Sequence, residues 1–168
     1  MKTLIVYSSL TGNTKMVAEA MFAAAPAGAE IYSVGDAPAA EGYDLVAVGF
    51  WVDRGSADKN AAKYLLALRN QKVALFGTLG AYPDSDHARD CMARAAMLLD
   101  SGNTLAGTFI CQGKIAAKLR ESFKNLPPDH PHAMTPERIA RHEEAGKHPN
   151  EEDLAKAQEF FHKVLKAQ

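Results

Sequence analysis

Residues 6–15 read VYSSLTGNTK and overlap the end of an apolar run, residues 3–7. That run is short and partly β-branched, which predicts a strand buried on both faces. Residues 8–14 then hold five hydroxyl or amide side chains and one glycine. A turn that only caps a helix needs one such side chain. Five of them indicate a binding loop between a strand and a helix.

The position of this loop predicts a phosphate site. Where a chain turns into a helix, the first backbone N–H groups lack partners and lie at the positive end of the helix dipole. This arrangement binds phosphate. Gly12 lets the backbone approach a ligand closely, because no side chain intervenes. Neutral donors are added by Ser9, Thr11, Asn13 and Thr14. The alternative is a well-capped turn that binds nothing.

Further along the chain, apolar strands alternate with amphipathic helices. Strands are predicted over residues 3–7, 30–34, 43–50, 72–78 and 104–111, and helices over residues 14–25, 58–70 and 86–100, the first capped by Asn13. This alternation predicts an α/β fold with a doubly wound, five-stranded parallel sheet in the order 2-1-3-4-5. Ligands of such sheets bind at the carboxyl ends of the strands, where the order reverses.

The rest of the chain predicts additional helices. A helix around Leu119 ends before Pro127, Thr135 is placed to cap a second, and Asn150 opens a third. We expect a single domain over residues 1–168, with residues 1–112 as the core and residues 113–168 as a C-terminal helical elaboration.

Composition excludes several classes of partner. The 168 residues include 19 basic and 20 acidic side chains, for a net charge of −1, so nucleic acid and anionic membranes are not expected partners. No apolar run approaches the ~20 residues that span a bilayer. Cys91 and Cys111 lie in apolar segments and are expected to be packed thiols in a reducing cytoplasm. The histidine spacing predicts no metal site.

Other phosphate-binding families fit poorly. The motifs GxxxxGK[ST] and GxGxxG are both absent. A phospho-receiver domain would need acidic residues after the first strand, where Ser8 and Ser9 stand. Residues 9–14, SLTGNT, instead match the flavodoxin phosphate loop, [ST]-x-T-G-x-T, at every fixed position. The chain therefore resembles the flavodoxin family over its five strands, about two-thirds of its length.

The resemblance implies a cofactor and a binding loop. Flavodoxins bind flavin mononucleotide (FMN) without a covalent link and transfer electrons one at a time. By similarity, the hydroxyls of Ser9, Thr11 and Thr14 and the loop backbone would hold the FMN phosphate. The implied loop as a whole comprises Ser8, Ser9, Leu10, Thr11, Gly12, Asn13 and Thr14.

A second site segment is expected in GFWVDRG, residues 49–55. Trp51, the only tryptophan, is favoured as a ring-stacking aromatic, while Phe50 could equally belong to the core. The resemblance implies that a peptide among Val52, Asp53, Arg54 and Gly55 contacts flavin N5. Arg54 departs from the acidic surroundings typical of flavodoxins. It would favour negative charge on the reduced ring or hold an acidic substrate, unless it only pairs with a nearby aspartate.

A third segment follows the fourth strand. By the same resemblance, the backbone of Thr78, Leu79, Gly80 and Ala81 would meet the ring edge. Tyr82 is the candidate for a second stacking partner, with an ordinary loop tyrosine as the alternative. Gln112 and Lys114 could border the same pocket.

These features predict an FMN-binding protein that carries electrons to or from a redox partner. One alternative is an FMN-dependent reductase acting directly on a small acceptor such as a quinone or a linear tetrapyrrole. A second is a flavin-free module that binds a phosphate ligand. Residues 127–149 contain several histidines and arginines, and we hypothesise that they lie near the open flavin edge and present positive charge to an acidic partner.

Overall fold

A computed structural model describes residues 1–167. The strands are β1 (Thr3–Tyr7), β2 (Glu30–Ser33), β3 (Leu45–Asp53), β4 (Ser56–Ala57), β5 (Lys72–Leu79) and β6 (Thr104–Gln112). The helices are α1 (Asn13–Ala23), α2 (Lys59–Ala67), α3 (Asp86–Ala96), α4 (Ala117–Lys124), α5 (Pro136–Ala145) and α6 (Glu151–Lys166). Within these residues, no helix combines the length and the apolar character needed to cross a bilayer.

The sheet has the predicted topology. Its five main strands lie in the order β2-β1-β3-β5-β6, and neighbouring main strands are parallel. This is the predicted 2-1-3-4-5 order, which is confirmed. Tyr7 pairs with Gly49, and Gly49 pairs with Phe76. The carboxyl ends of β1, β3 and β5 therefore meet at one edge, where the strand order reverses.

Alternating side chains bury both faces of the sheet. One face, which includes Leu4 and Phe50, packs against Leu65 of α2 and its neighbours. The opposite face, which includes Ile5, packs against residues of α1 and against Phe161 of α6. Successive strand residues point to opposite faces, so an apolar run without alternation fits a sheet covered on both sides. The last helix of the tail is thus part of the core.

Both cysteines are buried free thiols, as predicted. Cys111 is 2 % exposed at the end of β6. Burial, with a smaller contribution from the charge of Asp153, raises the pKa of the Cys111 thiol to about 12. The pKa of the Cys91 thiol is also raised, again mainly by burial.

A short hairpin follows β3 that the sequence did not predict. Strand β3 continues past Phe50 to Asp53, which pairs with Ser56 of β4 in antiparallel register. Between them stand Arg54 and Gly55, with φ of 49° and 80°. Two consecutive positive φ angles in a two-residue loop are typical of a type I′ turn, whose twist matches that of the strands it joins.

The predicted helix starts at Thr135 and Asn150 are confirmed, and Asp58, expected as the first residue of α2, is its N-cap. Helices α2, α5 and α6 begin after Asp58, Thr135 and Asn150, each of which accepts backbone hydrogen bonds with its side chain. The prediction for α1 is wrong. Its N-cap is Gly12, at φ 94°, and no side chain caps the helix. Asn13 is the first helical residue, and its amide instead donates to the Lys114 carbonyl at 2.9 Å.

Candidate functional site

A cavity of about 130 Å³ lies at the carboxyl edge of the sheet. Part of each of the three predicted segments reaches it, together with a fourth segment from the start of the tail. The lining residues are Leu10, Thr11, Asn13, Trp51, Val52, Thr78, Leu79, Gly80, Gly113, Lys114, Ile115, Ala116 and Leu119. The parallel register brings these distant segments together, because it aligns the ends of β1, β3 and β5.

The loop after β1 has the chemistry of an anion site. The amides of Asn13 and Thr14, in the first turn of α1, have no hydrogen-bond acceptor among residues 1–167. The Ser9 hydroxyl accepts from the amides of Gly12 at 3.1 Å and Lys15 at 3.3 Å, which draws the loop into a tight turn. Two unpaired amides at a helix N-terminus whose N-cap residue is a glycine fit a phosphate group.

Thr14 connects this loop to β5. Its hydroxyl shares a hydrogen bond of 2.9 Å with that of Thr78, and both side chains are buried. Only one of the two protons is used in that bond, so the pair retains one hydroxyl donor. The hydrogen bond fixes the position of the first turn of α1 relative to the strand that supplies the third site segment.

Ser8 is turned away from the loop. Its hydroxyl donates to Oδ1 of Asp58 at 2.7 Å, and the residue is 5 % exposed. The same oxygen accepts from the amides of Asn60 and Ala61, the first donors of α2. The Ser8 hydroxyl is therefore committed to a buried carboxylate, and the place of Ser8 in the implied phosphate loop stays a prediction.

The two aromatics of the second segment have opposite environments. Trp51 lines the cavity, whereas Phe50 is fully buried, and its ring lies against the backbone of Gly77. The absence of accessible surface on Phe50 supports the alternative that it belongs to the core. Successive residues of a strand point to opposite faces, which explains why only one of the pair reaches the site.

The remainder of the second segment leaves the cavity. Val52 is part of its lining, but Asp53, Arg54 and Gly55 belong to the hairpin and are not. Arg54 is exposed at the turn. The Gly55 carbonyl accepts from Arg94 at 3.1 Å, so this peptide is already held in one orientation. The expectation that one of these three residues meets the ring has no support in this geometry.

The third segment reaches the cavity only in part. Thr78, Leu79 and Gly80 line it, as expected, but Ala81 and Tyr82 do not. Tyr82 is 42 % exposed, and its carbonyl accepts from the hydroxyl of Ser85, the N-cap of α3. Helix α3 therefore begins close behind the strand and holds Tyr82 outside the cavity.

The fourth segment, residues 113–119, was largely missed by the sequence analysis. Its backbone is tied to both neighbouring loops: the Gly113 amide donates to the Leu79 carbonyl at 2.8 Å, and the Lys114 carbonyl accepts from Asn13. Of the two residues expected to border the pocket, Lys114 does so. Gln112 is 2 % exposed and instead donates to the Gly80 carbonyl at 3.1 Å.

The basic part of the tail lies elsewhere. No residue of the described segment 127–149 lines the cavity. His142 is buried, and burial, together with the charges of nearby arginines, lowers its pKa. His148 contacts the carboxylates of Asp153 at 2.5 Å and Glu144 at 3.2 Å. These two histidines therefore make contacts within the tail, and the tail residues that line the cavity belong to residues 113–119.

A family model described as a flavodoxin domain matches residues 4–162. The chain belongs to this flavodoxin family. A flavodoxin-like domain-containing protein, BilS, from Clostridioides difficile (strain CD3) is 36 % identical over 98 % of this chain and 97 % of the relative. The flavodoxin of Streptococcus pneumonia TIGR4 has a TM-score of 0.61 at 12 % identity and covers each chain fully (100 %). A flavoprotein in complex with FMN from Lactobacillus acidophilus NCFM has a TM-score of 0.52 at 19 % identity, over 65 % of this chain and 92 % of that one.

These matches confirm the resemblance read from the phosphate loop. The two solved structures share the flavodoxin fold with this chain, and the family match supports FMN as the cofactor. The similarity to flavodoxins also extends beyond the five strands over which the sequence predicted it. The matched region ends at residue 162, inside α6. This agrees with the place of α6 in the core beside α1.

Proposed function

We propose that this flavodoxin-family protein binds FMN in the cavity and carries electrons to or from a redox partner. The observation that carries the proposal is one juxtaposition. Amides without acceptors in the first turn of α1 lie in the same site as Trp51 and the end of β5. An anion site beside an aromatic wall fits a ligand with a phosphate at one end and a planar ring at the other.

The phosphate would be bound by neutral donors. The amides of Asn13 and Thr14 and the exposed hydroxyl of Thr11 are the groups available for it. Gly12 allows a close approach, since a Cβ there would meet nothing within 4 Å and the left-handed backbone disfavours other residues. Lys15 lies 3.7 Å from Glu19 on the exposed side of α1, so its charge is partly balanced within the helix.

The ring would lie between Trp51 and the backbone at the end of β5. An indole face against a planar ring contributes on the order of 1 kcal/mol beyond the burial of apolar area. When bound, FMN supplies the redox chemistry, and the protein sets its orientation and its access to water. No side chain of the lining has to act as a nucleophile or as a general acid.

One feature favours a carrier over an enzyme that acts on its own substrate. Leu10 and Leu119, at the opening of the cavity, are 67 % and 47 % exposed. Exposed apolar side chains around a cofactor opening suit contact with another protein. The alternatives remain a direct reductase of a quinone or a linear tetrapyrrole and a flavin-free phosphate-binding module.

The test is a comparison of FMN with riboflavin, which lacks the phosphate. We expect wild-type protein to bind FMN much more tightly than riboflavin. Quenching of flavin fluorescence on titration with protein measures both affinities. Thr11→Ala should weaken FMN binding by roughly tenfold or more, because a hydrogen bond to a charged group contributes about 1.5–3 kcal/mol. The same change should leave riboflavin binding unaltered. Thr108→Ala, at an exposed threonine of β6, is the matched control.

Two results would contradict the proposal. Equal affinity for the two flavins would show that the loop does not bind the phosphate. A protein that binds a phosphate ligand but neither flavin would support the flavin-free alternative.

A further inference from the structure

Residues 113–119, which we name the tail wall, form a side of the cavity that neither the phosphate loop nor the two strand-end segments supply. We propose that the tail wall is the flavin cover of this protein: Ile115 and Leu119 provide an aliphatic contact to the ring in place of a second aromatic. This inference rests on the proposed FMN site and adds residues that contribute to its affinity for the flavin ring.

Three backbone contacts hold the tail wall in place. The Gly113 amide donates to the Leu79 carbonyl at 2.8 Å, at the end of β5. The Lys114 carbonyl accepts from the side chain of Asn13 at 2.9 Å, beside the first turn of α1. The Lys114 amide donates to the His148 carbonyl at 2.9 Å. The wall is thus attached to both loops that the cofactor would touch and to the junction between α5 and α6.

Close packing fixes the position of the wall side chains. A Cβ added to Gly113 would lie 2.7 Å from Nδ2 of Asn13, so the two segments touch at this point. A Cβ added to Gly80 would lie 2.7 Å from Cγ1 of Ile115. Ile115 therefore rests on the backbone of Gly80, one of the groups expected to face the ring. It occupies the position from which it would contact a ring bound there.

The wall differs from the other sides of the cavity in its backbone. Strand ends of the sheet are fixed by the ladder, whereas the wall leads from Gly113 into the short helix α4, in which Leu119 is 47 % exposed. Leu119 therefore has apolar surface that a bound ring could cover. Tyr82, the aromatic residue of the third segment, does not line the cavity. The third segment therefore supplies no aromatic contact on the side that the wall occupies.

The wall and the phosphate loop predict different binding signatures. Ile115→Ala removes apolar contact with the ring, which FMN and riboflavin share. The change should weaken the binding of FMN and of riboflavin by the same factor, about tenfold, given ~0.8 kcal/mol for each buried methylene. The preference for FMN over riboflavin stays constant. Thr11→Ala, by contrast, changes that preference. Ile139→Ala, at an exposed apolar residue outside the cavity, is the control. It should change neither the FMN nor the riboflavin dissociation constant.

Proteolysis gives a readout that does not depend on affinity. Trypsin should cut after Lys118, which is exposed within the wall. Saturating FMN should change the rate of this cleavage at least severalfold, whereas inorganic phosphate, which reaches only the loop after β1, should not. Leu119→Ala serves as a second variant in case Ile115→Ala is poorly folded, as judged by its circular dichroism spectrum.

The outcomes separate this inference from the proposed function. If wild-type protein binds no FMN, both fail. If wild-type protein binds FMN, but both wall variants keep the wild-type dissociation constants and FMN does not affect cleavage after Lys118, only the wall proposal is overturned. Equal weakening of both flavins, with an FMN-dependent change in cleavage, supports it.

Discussion

Ser8 and Ser9 are adjacent and chemically identical, yet their hydroxyls serve different parts of the molecule. The Ser8 hydroxyl donates to the buried Asp58, while the Ser9 hydroxyl accepts two amides of the phosphate loop. Successive side chains at the end of a strand point to opposite sides, so only one of the pair can face the loop. The same alternation separates Trp51, in the cavity, from Phe50, in the core. Alternation predicts that the two members of such a pair differ, but in a sheet buried on both faces it does not tell which one faces the site.

Ser8→Ala should therefore affect stability and not flavin preference. The change removes a donor from a buried carboxylate that also caps α2, which should lower the free energy of unfolding by about 1–3 kcal/mol. Urea denaturation followed by circular dichroism measures this loss. The ratio of FMN to riboflavin affinity should stay at the wild-type value. Thr11→Ala, at an exposed residue, is the converse control. A Ser8→Ala protein of unchanged stability that lost its preference for FMN would contradict this assignment.

At the scale of elements, the sequence predicts what is local. The β1 strand, its loop and α1 are recognisable because an apolar run, turn chemistry and helical periodicity follow one another within 25 residues. The strand order follows from the alternation of strands and helices. The hairpin at Arg54 was missed because arginine does not favour a positive φ, so only Gly55 marked the turn. Before the fold was known, that glycine could equally be assigned to a flexible peptide beside a ring.

The tail wall could not have been predicted by the same means. Residues 113–119 read GKIAAKL, a pattern that indicates the start of a helix and nothing about its partners. Their contacts are with Asn13, Leu79 and His148, which are distant in the sequence. Only the folded chain brings these segments together. The sequence thus predicts the loops at the strand ends, while the element that closes the cavity depends on tertiary contacts.

The junction between α5 and α6 should depend on pH through His148. Its hydrogen bond to Asp153, the larger influence, and its bond to Glu144 raise the pKa of His148 above its usual value of ~6.5. A raised pKa in the folded state means that the protonated form is stabilised. The stabilisation is fully present below the unfolded-state pKa and is lost as the pH rises through the folded-state value. Lys147 also contacts Glu144, at 2.6 Å, but remains charged across this range.

The measurement is the free energy of unfolding of wild-type protein and of His148→Gln across pH 5 to 9. The difference between them should be greatest below about pH 6.5 and should shrink above the folded-state pKa of His148. The comparison is needed because His142 acts in the opposite direction. Burial lowers the pKa of His142, so its neutral form is favoured and protonation at low pH opposes folding. A difference that is constant with pH would show that the His148 ion pairs do not stabilise the fold.

At the scale of the whole molecule, net charge does not single out a docking face. The 19 basic and 20 acidic residues nearly cancel, so no strong overall field directs a partner to the cavity. What distinguishes the opening is instead local: exposed Leu10 and Leu119 beside the site. Helix α6, which follows the tail wall in the chain, packs on the sheet beside α1. The tail therefore contributes both to the core and to the lining of the cavity.

Carrier and direct reductase differ in how the rate of electron transfer depends on the concentration of a small acceptor. We expect protein reduced with dithionite and mixed with the quinone menadione in a stopped-flow instrument to reoxidise at a rate proportional to quinone concentration, without a plateau. The reason is the proposed carrier role: an acceptor that only collides with the exposed edge of the ring reacts at a rate proportional to its own concentration. Free reduced FMN and the small acceptor ferricyanide are the controls, and both should behave linearly. Saturation with menadione but not with ferricyanide would contradict the carrier assignment and favour the direct reductase, because only a specific binding site for the acceptor produces a plateau.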